Sequence, residues 1–196
     1  MKRQFTIVLL SVLVASTAYG QLFNEATDGD ASSDAANPTI LNLSVGSNLV
    51  SGTVVNSNDI DVGDIDFFSF TIPEGQTLDA IFLPSFAPDN TGFHAISAGA
   101  TGIVPSGPNA GDPSQFLGSA HLGPSDDNLL PDLGTPLAGT GFEGPLGPGT
   151  YSYIIQQTSD LVSSYTVDFS VVPEPAAGSL LVCGIVLLSG LRRRRS

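Results

Sequence analysis

An all-β, antiparallel sandwich is the fold class that this sequence predicts, and three observations predict it. Short runs rich in β-branched and aromatic residues alternate with turn residues through most of the chain. Fourteen prolines and 22 glycines are spread over 196 residues, and the prolines between 84 and 148 forbid long helices there. The run Tyr165-Thr166-Val167-Asp168-Phe169-Ser170-Val171 alternates with strict period two. That pattern is what a half-buried antiparallel strand requires. Such a body should hold about seven or eight strands and no helix of ordinary length.

Taken in order, residues 1–20 read as a secretory signal. Lys2 and Arg3 form the basic start, Thr6 to Val14 is almost wholly apolar, and Ala18-Tyr19-Gly20 offers small residues for cleavage before Gln21. A cut after Ala18 is the alternative. Residues 21–37 are small and acidic, a linker composition, and the β domain is expected over 38–172. Ile40 to Val45 and Leu49 to Val55, separated by Gly46-Ser47-Asn48, predict a hairpin. From Asp66 to Ile72, Phe68, Phe70 and Ile72 point one way while Phe67, Ser69 and Thr71 point the other. Pro73-Glu74-Gly75-Gln76 then makes a turn into a strand from Leu78 to Leu83. The middle, 84–148, reads as short strands in long loops, with one strand near Gly92 to Ala98. Tyr151 to Gln157 and Tyr165 to Val171 predict a closing hairpin, with Asp168 facing water.

Charge excludes several functions. All six basic residues, Lys2, Arg3 and Arg192 to Arg195, lie at the extreme ends. Segment 21–175 therefore carries all 19 acids and no Lys or Arg, a net of −19. Nothing in it could neutralise a phosphate, which excludes nucleic-acid binding. P-loop and kinase chemistry fail for want of a lysine. Trypsin would find no cleavage site within the segment.

The C-terminus, 173–196, has three parts: Pro173-Glu174-Pro175, the uncharged run Ala176 to Leu191, and Arg192-Arg193-Arg194-Arg195 before Ser196. At about 1.5 Å per residue the uncharged run makes a helix of roughly 24 Å, short for a ~30 Å hydrocarbon core. Four terminal arginines favour a cytoplasmic end, which puts the body on the far side of the membrane. Cys183, the single cysteine, lies inside this run and leaves the body without disulfides.

In the order of its parts this tail resembles the PEP-CTERM sorting tail of Gram-negative bacteria. That resemblance implies handling by signal peptidase and an exosortase, a transpeptidase-like membrane enzyme that removes the tail. It implies a transient stay in the inner membrane, then a place at the cell surface or in the extracellular matrix, with extracellular polysaccharide as a partner. The body is more weakly similar to the bacterial pre-peptidase C-terminal domain. The residues that carry this are Leu49-Val50-Ser51-Gly52-Thr53-Val54, Gly63-Asp64-Ile65-Asp66-Phe67-Phe68, Pro73-Glu74-Gly75, Gly149-Thr150-Tyr151 and Tyr165-Thr166-Val167. The similarity covers roughly 24–83 and 147–172, and it implies a jelly-roll-like sandwich whose collagen-binding relatives hold calcium.

Catalytic patterns are thin. His94 and His121 fall in the turn-rich middle and read as loop histidines, and Ser119-Ala120-His121 is a sequence neighbourhood rather than a triad. With no Trp for a sugar platform and no helical histidine pair, the expectation is a non-enzyme. The most suggestive cluster is Asn58-Asp59-Ile60-Asp61-Val62-Gly63-Asp64-Ile65-Asp66. Its aspartates are hard oxygen ligands with no basic partner in the body, so only cations from solution can relieve their repulsion. Asp59, Asp61, Asp64 and Asp66 could converge with Glu25 or Asp28 on one calcium ion. A solvated acidic loop is the alternative. Two functions follow: a non-catalytic surface or matrix protein, or a secreted glycan- or protein-binding module with a calcium-stabilised sandwich.

Overall fold

The computed structural model describes residues 19–55, 63–105 and 110–174. Its strands are β1 (Tyr19–Asn24), β2 (Thr39–Leu41), β3 (Gly46–Val54), β4 (Ile65–Ile72), β5 (Gln76–Ala87), β6 (Gly92–Ala98), β7 (Phe116–Leu122), β8 (Gly149–Gln157) and β9 (Ser163–Pro173). They form a four-stranded sheet in the order β1-β3-β9-β5 and a five-stranded sheet in the order β2-β4-β8-β6-β7. Pairing is antiparallel except where β1 joins β3 and β2 joins β4. Among the described residues the two α-helices, α1 (Glu25–Asp28) and α2 (Leu130–Gly134), are single turns.

Alternation along the strands sends one set of side chains between the sheets. Phe68, Phe70, Ile81, Tyr153, Ile155, Val167 and Phe169 are almost completely buried there. Tyr153 and Phe169 cross the gap with ring centroids 5.2 Å apart in a T-shaped contact. Burying one such side chain contributes about 1.5–3 kcal/mol. A second, smaller cluster of Phe67, Ala95, Phe116 and Ile154 lies on the other face of the five-stranded sheet, with Ile103 and Val104 against it. That cluster explains why β4 and β8 are apolar on both faces.

Both predicted hairpins are absent as hairpins. β2 belongs to one sheet and β3 to the other, and β8 and β9 are divided in the same way. Leu41 and Val50 are buried from opposite sheets, so the chain must cross the core between them. The Asn48 side chain builds that corner: its Oδ1 accepts from the Ser44 amide at 2.9 Å, and its Nδ2 donates to the carbonyls of Ser44 and Gly46. Asp168, expected in water, is only 6% exposed and accepts from Ser47 Oγ at 2.7 Å and the Asn48 amide at 2.8 Å. Segment 21–37, expected as a linker, contributes most of β1 and all of α1, and the Ser32 carbonyl accepts from the Phe67 amide.

The Gly- and Pro-rich middle seals the sheet edges. Leu78 and Leu83 of β5 bridge to Leu146 and Ser125, so the outer side of this 12-residue edge strand is occupied at two points. Along β7, the carbonyls of Phe116, Leu117 and Ser119 accept from Thr140, Gly141 and Leu137. Unpaired edges invite association with other chains, and covering them prevents it. Gly118 permits the closest of these approaches, because a Cβ there would meet the Leu133 carbonyl oxygen at 2.0 Å. Gly118→Ala should therefore cost about 1–3 kcal/mol by forcing α2 off β7. A melting temperature equal to that of the parent would contradict this packing.

Candidate functional site

The acids that share a region lie at the end of the sandwich away from the C-terminus, where β4 begins and β3 ends. Asp66 sits on β4 with no exposure at all. Its Oδ2 accepts from the Tyr165 hydroxyl of β9 at 2.5 Å, while Oδ1 is buried without a hydrogen-bond donor. The Glu25 carboxylate, at the start of α1, comes within hydrogen-bonding reach of Asp66. Glu25 is held there by the backbone, its Oε2 accepting from the Thr53 amide at 2.7 Å and its Oε1 from the Ala31 amide at 3.2 Å.

Gly52 makes the approach possible. A Cβ on Gly52 would stand 2.5 Å from the Tyr165 hydroxyl and 2.6 Å from the Glu25 carboxyl carbon. Asp64, the residue just before β4, bridges to Val55 and accepts from Ser33 Oγ at 3.1 Å.

Electrostatics follow from burial without compensation, since no Lys or Arg lies among the described residues. Burial first, then the charges of Glu25 and Asp64, pushes Asp66 up to about 9, against the lowering effect of the Tyr165 hydroxyl. Burial and the charges of Asp30 and Glu25 push Asp64 up to about 6. Two carboxylates that meet in a dry place must share a proton or share a cation. Beside them a cleft of about 600 Å³ opens, bounded by Asn24, Glu25, Asp30, Thr53, Ser85 and Thr166.

Of the residues expected to hold metal, the structure brings Glu25, Asp64 and Asp66 into one neighbourhood. Asp28 is not among them: its Oδ2 accepts from the Asn24 amide at 2.8 Å, closing the turn of α1. Asp59 and Asp61 lie outside the described residues. Among the described residues no group of three acidic or histidine side chains is arranged to hold an ion. Sequence reasoning missed Asp30 and Tyr165. Asp30 stands in the same acidic opening as Glu25, whereas Tyr165 shares the alternation of its core neighbours and differs from them only in its hydroxyl.

The histidines are not in loops. His94 lies on β6, fully buried, with Nδ1 3.0 Å from the Tyr153 hydroxyl and Nε2 without a partner. Burial, and to a lesser degree the charge of His121, lowers it to about 3. His121 lies on β7, exposed, with its ring edge-on to Phe93 at 5.6 Å. Ser119 Oγ donates to the Ala138 carbonyl at 2.9 Å.

In the triplet expected to direct sorting, Pro173 ends β9 and the Glu174 amide donates to the Gly75 carbonyl at 2.8 Å. Pro175, the apolar run 176–191 and Arg192 to Arg195 lie outside the described residues, as does 1–18. Among the described residues no helix is long and apolar enough to cross a membrane. The class that can be stated is a mostly β protein of two facing sheets with an acidic end. No known protein family, curated protein or solved structure matches the chain.

Proposed function

We propose that this chain is an exported, non-catalytic envelope or matrix protein, released from the inner membrane when an exosortase removes its tail and then associated with extracellular polysaccharide. One observation carries the reading: the last strand of the sandwich ends at Pro173, flush with the Pro-Glu-Pro triplet. The folded body thus spends its chain just where the three-part tail begins, leaving no intervening segment. The non-catalytic part is supported by His94 being sealed against Tyr153 and by Ser119 being committed to Ala138.

The test is the mass of the intact secreted protein. The mature chain should run from about Gln21 to near Pro175, and a product still carrying Arg192 to Arg195 would mean a permanent anchor. Replacing Pro173-Glu174-Pro175 by alanines should leave the protein in the inner membrane.

A second reading is supported by a separate observation, the buried Asp66 Oδ1 without a donor beside Glu25. In it the sandwich is a binding module stabilised by calcium, with Glu25, Asp64 and Asp66 as ligands together with Asp59 and Asp61. Hard carboxylate oxygens suit calcium, which supplies the positive charge that the body lacks. A glycan array probed with the processed protein, with and without calcium, tests this reading. Binding to no glycan and to no envelope protein in either condition would leave the matrix reading standing alone.

A further inference from the structure

The triplet at 173–175 begins inside a sheet. β9 is an inner strand, flanked by β3 and β5. Val171 pairs with both Gly46 and Leu78 and is 1% exposed. Val172 pairs with Thr77, and Pro173 with Gln76. Beyond them the Glu174 amide donates to Gly75, in the turn that joins β4 to β5. That turn is closed by the Gln76 amide on the Pro73 carbonyl at 3.2 Å, with Gly75 at φ 77°. Pro73, Glu74, Gly75, Pro173 and Glu174 are all exposed and form one continuous surface.

Enzymes that cut or transfer peptides commonly take the chain in extended form, pairing its backbone with an edge of their own. Here both edges of Val171 are already used, and one edge of Val172 is held by β5. Freeing them would mean pulling a central strand out of the core. Resting on the sorting reading above, we propose that the tail-removing enzyme works on the folded sandwich, reaches the chain only from Pro173 onward, and docks on the β4–β5 turn Pro73-Glu74-Gly75. The partner surface is small, proline-lined and acidic, carrying Glu74 and Glu174 with no Lys or Arg among the described residues to offset them. Its complement on the enzyme is a basic, extended-chain groove.

Two variants of the full chain, made in the producing cell in a Cys183→Ser background, decide this. In the first, Thr77→Cys and Val172→Cys staple the end of β9 to β5. Directly paired residues have Cα atoms about 4.5–5.5 Å apart, within the span of a disulfide. In the second, a short Gly-Ser spacer between Val172 and Pro173 carries the triplet away from the turn. Release is followed by intact mass and by the loss of membrane-bound precursor. The stapled chain should be released as fast as the parent, and the spacer chain at least about tenfold more slowly, the loss of one good transition-state contact. A stapled chain that stays in the membrane, while its reduced form is released, would show that β9 must peel and would overturn the proposal. A spacer chain released at the parental rate would remove the turn from the contact and overturn it too. If the parent itself keeps Arg192 to Arg195, the sorting reading fails, and this proposal with it.

Discussion

Millimolar calcium, added to the processed protein at neutral pH in high sodium chloride, should raise its melting temperature by about 5–10 °C. The size follows from mass action. An ion that binds only the folded state at a hundredfold excess over its Kd stabilises by about 2.7 kcal/mol. For a domain of this length each kcal/mol moves the midpoint by about 2–4 °C. High salt is essential to the design, because a net of −19 repels itself and any cation relieves that by screening. Screening is already complete in concentrated sodium chloride, so the remaining response belongs to a site. Asp66→Asn separates the site from its surroundings. The amide can donate to Glu25 and still accept from Tyr165, so the calcium-free variant should melt above the calcium-free parent and no longer respond to calcium. A parent indifferent to calcium in high salt would mean that Glu25 and Asp66 are joined by a proton and that calcium has no part in the fold.

How far the sequence discloses this molecule depends on what a pattern can encode. Period-two alternation in β9 and the Gly92 to Ala98 run reports that a strand exists and which residues point one way. It does not report what lies across from the strand. Tyr151 to Gln157 and Tyr165 to Val171 look alike whether they pair as a hairpin or face each other across a core, and the Tyr153–Phe169 contact is of the second kind. The corner at Asn48 depends on its amide meeting Ser44 and Gly46, a local geometry that a Gly-Ser-Asn string shares with an ordinary hairpin turn. The middle is harder still. Gly102 and Gly139 allow loops to lie directly on Phe67 and Phe116, Gly118 lets α2 lie directly on β7, and such close approaches have no period to detect. Part of the acidic end was legible for an electrostatic reason, since carboxylates without cations cannot be paired internally. Tyr165 was not, because its hydroxyl is the only thing that separates it from Val167 and Phe169 on the same face.

In the presence of a chelator the protein should be most stable near the acid end of its range, at about pH 4, and should weaken steadily toward pH 9. The sign follows from where each proton is held. Asp66 rises from 3.8 unfolded to about 9 folded, so its contribution is complete below 3.8 and is lost as the pH climbs to 9. Asp64 behaves alike between 3.8 and about 6. His94 has the opposite sign: lowered from 6.5 to about 3, it leaves the fold intact above 6.5 and weakens it as the pH falls. Asp34, Asp89 and Asp112, held below the usual carboxylate range by hydrogen bonds, add to the acid limb. Between 3.8 and 6.5 His94 and Asp66 oppose each other, and Asp64 tips the balance downward. Above 6.5 Asp66 acts alone, at a slope of about 1.4 kcal/mol per pH unit. Denaturant midpoints taken at fixed high salt from about pH 2 to 9 measure this directly. Asp66→Asn should flatten the limb above pH 6.5 and leave the limb below 3.8 unchanged, because there His94 still has to gain a proton in the core. A parent as stable at pH 9 as at pH 6.5 would mean that the Asp66 carboxylate is ionised in the folded state, and that the pocket around Tyr165 and Glu25 is wetter than its burial implies.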